Sequence, residues 1–269
     1  ISIFFFLATA RNSRQYWVIM SACLLAGLSA YIVYLAESRA SLLGILCGLA
    51  IYLFILLPRK LKKLTAIVAA CMMVAFVGVF YEKIINKVQG LLIVEHYSIN
   101  EPLSSNVIRT HLLQNTMHYV AESFGFGVGA GNLPFYQEFE SIYPTQNIYE
   151  VHNWLAEILG NFGIIILLGY ITMYAYLFIS LYRTYNPRLD KDRKGLIEGL
   201  IAALVAFLVS SISPSSVSNL YFHWVFLGIV ITSVSILKKE SVLGLNKSSQ
   251  NAYVDRLIFQ KANKEGVVK

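Results

Sequence analysis

The sequence predicts an all-α, polytopic transmembrane helix bundle of about seven spans with one long, partly helical external loop, on three observations. The 269 residues are 57% hydrophobic and only 14% charged, with a mean hydropathy of +0.60. Long charge-poor stretches recur along the chain, and Lys and Arg crowd into alternate connections between them. So apolar a composition is unusual in a soluble domain. Helices of ~20 apolar residues instead cross a bilayer with every backbone polar group satisfied internally.

The elements follow in order. Residues 1–10 read as the end of a span cut at its start. The chain does not open on Met and is expected to be the C-terminal part of a longer protein. No charged start or small-residue cleavage site frames these residues, so they do not read as a signal peptide. Residues 16–36 give 21 positions without a charge, 40–57 give 18 and 64–80 give 17. Residues 154–182 form a 29-residue stretch with a single charge, Glu157. Residues 199–212 and 220–237 supply two more. Four segments result: spans over 1–80, an external loop over 81–151, spans over 152–239 and a polar tail over 240–269. Within the tail, 252–262 could form a short basic amphipathic helix on the membrane surface.

Orientation follows from cationic loops. Alternate short connections hold Arg11 and Arg14, then Arg59, Lys60, Lys62 and Lys63, then Arg183, Arg188, Lys191, Arg193 and Lys194, then Lys238 and Lys239. The intervening short loops carry Arg39 alone. By the positive-inside rule the crowded side is cytoplasmic, and the long loop and Arg39 are external. The net charge of +7 is then juxtamembrane Lys and Arg meeting anionic lipid, and no nucleic-acid partner is needed. Cys23, Cys47 and Cys71 lie in apolar stretches with no metal or pairing pattern. Asp190-Lys191-Asp192 fits a D-x-D pattern, but a short loop crowded with cations leaves no room for a nucleotide-binding fold.

The external loop is more than a connection. Ser104-Ser105-Asn106 offers N-cap residues, and 107–121 follow with no Gly or Pro. Advancing about 100° per residue from Ile108, an apolar arc runs through Leu112, Val120 and Leu113 to Met117 at about 180°. Arg109 falls at about 100°, inside that arc, and is expected to point inward. His111 and His118 fall opposite. An inward guanidinium offers a planar fork suited to phosphate; a snorkelling side chain is the other reading. Arg39, in Glu37-Ser38-Arg39-Ala40, is either an interfacial anchor or a second such clamp.

The run Gly125-Phe126-Gly127-Val128-Gly129-Ala130-Gly131-Asn132 mimics a dinucleotide fingerprint, but no strand precedes it. It reads as a tight chain reversal. His152 is expected to begin a helix, with Asn153, Glu157 and Asn161 at spacings of four forming a polar stripe. Glu157 should sit roughly 7 Å deeper than His152. Either could take a proton from an attacking hydroxyl, His being the commoner base near neutral pH; a polar cap with a helix–helix hydrogen bond is the plainer alternative. All five His are external or at that edge, His223 included, and their spacings spell no zinc site.

Taken together, Ser38-Arg39-Ala40 after a span, Arg109 sixteen residues before the glycine run, and His152-Asn153 followed by nine residues and Gly163 resemble the C-terminal half of the O-antigen ligase and O-antigen polymerase superfamily. The resemblance covers residues 30–240. It implies that Arg39 and Arg109 hold the diphosphate of a polyprenyl-linked glycan and that His152 serves catalysis. Glu157 remains the rival base. Gly127, Gly129, Gly131, Asn132 and Asn153 are expected to position the loop and the acceptor. No metal and no cofactor is called for, since two guanidiniums can neutralise a departing diphosphate. The expected partners are the lipid-linked glycan donor, a glycan or lipid-anchor acceptor, and membrane lipids, in a bacterial cytoplasmic membrane with the tail inside. The leading reading is a polysaccharide polymerase; a ligase shares the mechanism. A lipid-linked glycan transporter would instead spread charges through the bundle, and the spans before Trp154 contain none.

Overall fold

The computed structural model describes residues 1–90, 103–186, 189–212, 216 and 221–239. Among them it is helical, with α1 (Ser2–Asn12), α2 (Tyr16–Leu35), α3 (Arg39–Leu56), α4 (Arg59–Gly90), α5 (Ser105–Glu122), α6 (Leu133–Phe139), α7 (Trp154–Thr184), α8 (Lys191–Ser210) and α9 (Tyr221–Lys239). The chain divides after His223, and the described part of the second unit is the remainder of α9. The amphipathic stretch expected at 252–262 lies outside the described residues. Among the described residues five helices are long and apolar enough to cross a membrane: Tyr16–Leu35, Arg39–Leu56, Lys60–Glu82, Trp154–Thr184 and Tyr221–Lys239. The other expected spans correspond to α1, of 11 residues, and α8, which carries Arg193, Lys194 and Glu198. Helix α4 runs ten residues beyond Phe80, where the loop was expected to begin.

The core of the first unit forms around α8. Ile197, Leu200, Ile201, Ala202, Ala203 and Leu204 are fully buried between α1, α3 and α7. Small residues let α3 approach closely: Gly44 and Gly48, one turn apart, face the backbone carbonyls of Ala206 and Ala202. A β-carbon at Gly44 would lie 2.7 Å from the Ala206 oxygen. This is the G-x-x-x-G arrangement that draws membrane helices together where lipid gives no hydrophobic drive.

The two ends of the bundle differ in chemistry. At one, Arg11 donates to the fully buried Glu198 carboxylate, which also accepts from the Tyr185 hydroxyl at 2.9 Å, and the Lys62 ammonium lies over the Tyr185 ring. Burial, followed by the hydrogen bond to Glu198, pushes the Tyr185 phenol above its usual range. At the other end lie Arg39, the start of α7 and the last turn of α8.

Helix α7 departs from expectation. It is two helices joined at Gly163, whose φ of 79° and ψ of −177° lie outside the helical region. The Trp154 ring sits 4.7 Å from that of Tyr170 and 5.8 Å from that of Tyr174. Along a straight helix, sixteen residues would separate Trp154 from Tyr170 by about 24 Å. Residues 154–162 therefore fold back alongside the helix they precede. Glu157 is not simply deeper than His152, because this segment does not continue the span's axis.

Candidate active site

The fold-back of α7 builds the site. Residues 152–154 lead into its first turn: His152 takes φ of +51°, and Asn153 caps the helix by accepting from the Ala156 amide at 3.1 Å. The Trp154 amide donates to the Ser211 carbonyl, just past α8. The Trp154 ring fills a buried aromatic cluster with Tyr170, Tyr174, Phe207 and His223. There the Tyr170 hydroxyl and His223 Nε2 are hydrogen-bonded at 2.8 Å. Neighbouring Ser210 packs on Gly44, five residues into the helix that Arg39 begins. Arg39, His152 and Asn153 therefore gather at one end of the bundle.

Arg39 is exposed in the first turn of α3, whose N-cap Ser38 accepts from the Ser41 amide. Arg109 corrects its expectation: it is exposed and does not point inward. Its angular position is buried farther along α5, at Thr116 and Val120, but is open at the first turns where Arg109 stands. The buried face of α5 is also more polar than the sequence pattern implied, with His111, Asn115 and Thr116 on it. Asn115 donates to Gln137 Oε1 and to the Tyr143 carbonyl, and its own oxygen accepts from the Tyr143 amide at 2.9 Å. Gln137 donates to the Leu112 carbonyl, and His111 Nδ1 lies 2.8 Å from the Pro144 oxygen. Asn115, Thr116 and Gln137 are matched to one another or to backbone groups, which permits their burial. Among the described residues neither Arg39 nor Arg109 has a hydrogen bond or ion pair, so both guanidiniums remain open to an anion.

The glycine run meets the backbone of α7. The Val128 and Gly129 amides donate to the Gly160 and Asn161 carbonyls at 2.8 and 3.0 Å, and the Gly125 carbonyl accepts from the Ile164 amide at 2.9 Å. A β-carbon at Gly127 would lie 2.7 Å from the Gly160 oxygen. Asn161 extends the seam, accepting from the Leu133 amide that starts α6. Positive φ at Gly125, Gly127, Gly129 and Gly131 makes this path accessible to glycine. The run thus holds α5, α6 and the folded-back segment together, while Gly129, Gly131 and Asn132 stay exposed.

Asn153, Glu157 and Asn161 do form a stripe: the Glu157 amide donates to the Asn153 carbonyl, and Asn161 Nδ2 to the Glu157 carbonyl. The Glu157 carboxylate accepts from Ser216, in the segment after α8. Among the described residues no group of three His, Cys, Asp or Glu could hold a metal ion. Sequence reasoning missed the Asn115–Gln137 network, the Trp154–His223 cluster and Ser216, whose pairings reach up to 69 positions along the chain and carry no periodic signal.

A family signature described as O-antigen ligase matches residues 24–171. The chain belongs to the O-antigen ligase family. It is also 45% identical over 241 residues to a Bacillus subtilis protein described as teichuronic acid biosynthesis protein TuaE, covering 89% of this chain and 49% of that one. The chain spans about half the length of this curated relative. Arg39, Arg109, the glycine run, His152 and Gly163 all fall inside the matched stretch.

Proposed function

We propose that this chain is part of a membrane glycosyltransferase that polymerises polyprenyl-diphosphate-linked repeat units on the external face of the cytoplasmic membrane. The observation that carries it is the gathering of Arg39, His152 and Asn153 at one end of α3, α7 and α8. The relative's role in teichuronic acid biosynthesis supports a cell-envelope polysaccharide as product. The segregation of Arg11, Lys62 and Glu198 to the opposite end supports a cytoplasmic placement of that end.

The chemistry is a single displacement. An acceptor hydroxyl oxygen bonds to the anomeric carbon as the bond from that carbon to the diphosphate oxygen breaks. The bonding pair leaves with the polyprenyl diphosphate. The hydroxyl proton passes to His152, and Arg39 and Arg109 neutralise the charge that grows on the departing oxygens. Asn153 fixes the turn that presents His152, and the exposed face at Gly129, Gly131 and Asn132 orients the acceptor.

The test is the lipid-linked glycan pool in cells carrying the full-length protein with His152→Ala at unchanged protein level. Accumulated single repeat units are expected. Accumulated long chains on the lipid carrier would replace the polymerase by a ligase, and an unchanged pool would overturn the role of His152.

A further inference from the structure

We infer that Phe124 and Phe126 form a membrane-inserted wedge, by which the outer leaflet of the bilayer holds the glycine run and the bend at Gly163 in place. The partner is a lipid surface, and the argument starts from where the bend falls. Beyond Gly163, residues 164–184 run helically into the end that carries Tyr185. At 1.5 Å per residue these twenty-one positions are about 31 Å long, matching a hydrocarbon core of about 30 Å. The apolar boundary on the Arg39 side therefore falls at Ile164. Its side chain and that of Ile165 are exposed, as the first residues of a lipid-facing span should be.

The glycine run is pinned to that boundary. Gly125 accepts from the Ile164 amide, and a β-carbon on it would touch the Ile164 side chain at 3.2 Å. Its two neighbours are both phenylalanine, 92% and 70% exposed. Phe124 holds φ of +52°, a left-handed conformation that a bulky residue seldom adopts, and the chain keeps it while turning the ring away from the protein. Two exposed aromatic side chains therefore flank the residue pinned to the first position of a span, where Ile164 and Ile165 are themselves exposed. In water they would form a costly exposed patch. At the boundary, apolar rings enter the acyl chains while the backbone beside them stays with α7.

The test uses the full-length protein in phosphatidylcholine–phosphatidylglycerol nanodiscs, with native cysteines replaced and a single reporter introduced as Phe126→Cys, Phe124→Cys or, as an aqueous reference, Ala130→Cys. Each is labelled with an environment-sensitive fluorophore and quenched separately by iodide and by doxyl-labelled lipid. Labels at 124 and 126 should be blue-shifted and lose at least twofold more signal to doxyl lipid than to iodide, with the reverse at 130. Iodide quenching at 124 and 126 equal to that at 130 would overturn the wedge and point to a water-facing, glycan-stacking surface. Labels quenched by neither reagent would overturn it in favour of cover by the rest of the polypeptide. The readout does not depend on turnover, so it stands or falls apart from the proposed reaction.

Discussion

Gly163 lies so close to the Gly125 carbonyl that no β-carbon fits between them. Its φ of 79° with ψ near 180° is a region nearly exclusive to glycine, costing other residues of order 1–3 kcal/mol before any clash is counted. Gly163→Ala should therefore lower the apparent melting temperature of the detergent-solubilised full-length protein, by several degrees. Gly169→Ala, in the same helix with nothing within 4 Å, should be neutral or slightly stabilising. Equal melting of the two variants would show that the bend is not anchored by the glycine run.

The Gly44–Ala206 approach yields a second expectation. Gly44→Val forces α3 from α8, because the nearest atoms are the Ala206 carbonyl and the Ser210 backbone and β-carbon, none of which can swing aside. Gly27→Val, in α2 with open space around it, should be tolerated. Overpacking of this kind typically costs ~1–3 kcal/mol, to be read in thermal unfolding of the full-length protein. A Gly44→Val variant as stable as Gly27→Val would mean that the close approach of α3 and α8 contributes nothing.

Much of this fold was legible because bilayer crossing imposes a strong composition rule on each span, and cationic loops order the spans. The gathering of Arg39, His152 and Asn153 at one end follows from alternation alone. The inward placement of Arg109 did not hold, because periodicity finds apolar faces and α5 buries a polar one through Asn115 and Gln137. The fold-back at Gly163 was hidden inside an uninterrupted apolar stretch, in which one glycine reads like any other. The role of Gly44 and Gly48 was not read from the sequence, because their partner carbonyls lie more than 150 residues away.

Arg11 and Glu198 form the third test. Glu198 is fully buried, whereas the Arg11 side chain is 36% exposed. Removing Arg11 strands a buried carboxylate that still accepts from the Tyr185 hydroxyl, while Glu198→Gln keeps an acceptor for that hydroxyl and leaves Arg11 access to water. Arg11→Ala should thus destabilise more than Glu198→Gln, toward the ~3–5 kcal/mol seen when one member of a buried pair is lost. The double variant Arg11→Leu with Glu198→Leu should recover most of that loss. Unfolding of the three proteins in parallel decides it; the opposite order would mean that water reaches the carboxylate.

In the proposed reaction Glu157 and His152 are the rival bases for the acceptor's proton, and they occupy different settings. The Glu157 carboxylate is engaged by the Ser216 hydroxyl, and its backbone joins the stripe from Asn153 to Asn161. That is the setting of a group tying the first turns of α7 to the segment after α8. His152 sits just ahead of the helix cap, with a left-handed backbone φ of +51°. Glu157→Gln keeps an oxygen for Ser216 and should leave polymerisation within about fivefold of wild type. His152→Gln removes the base and should cost on the order of 10²–10⁴-fold, the usual contribution of general base catalysis. Rates of chain growth from purified lipid-linked repeat units would separate the two. A hundredfold loss in Glu157→Gln beside a mild one in His152→Gln would exchange their roles, making the carboxylate the base and the imidazole a group that orients it.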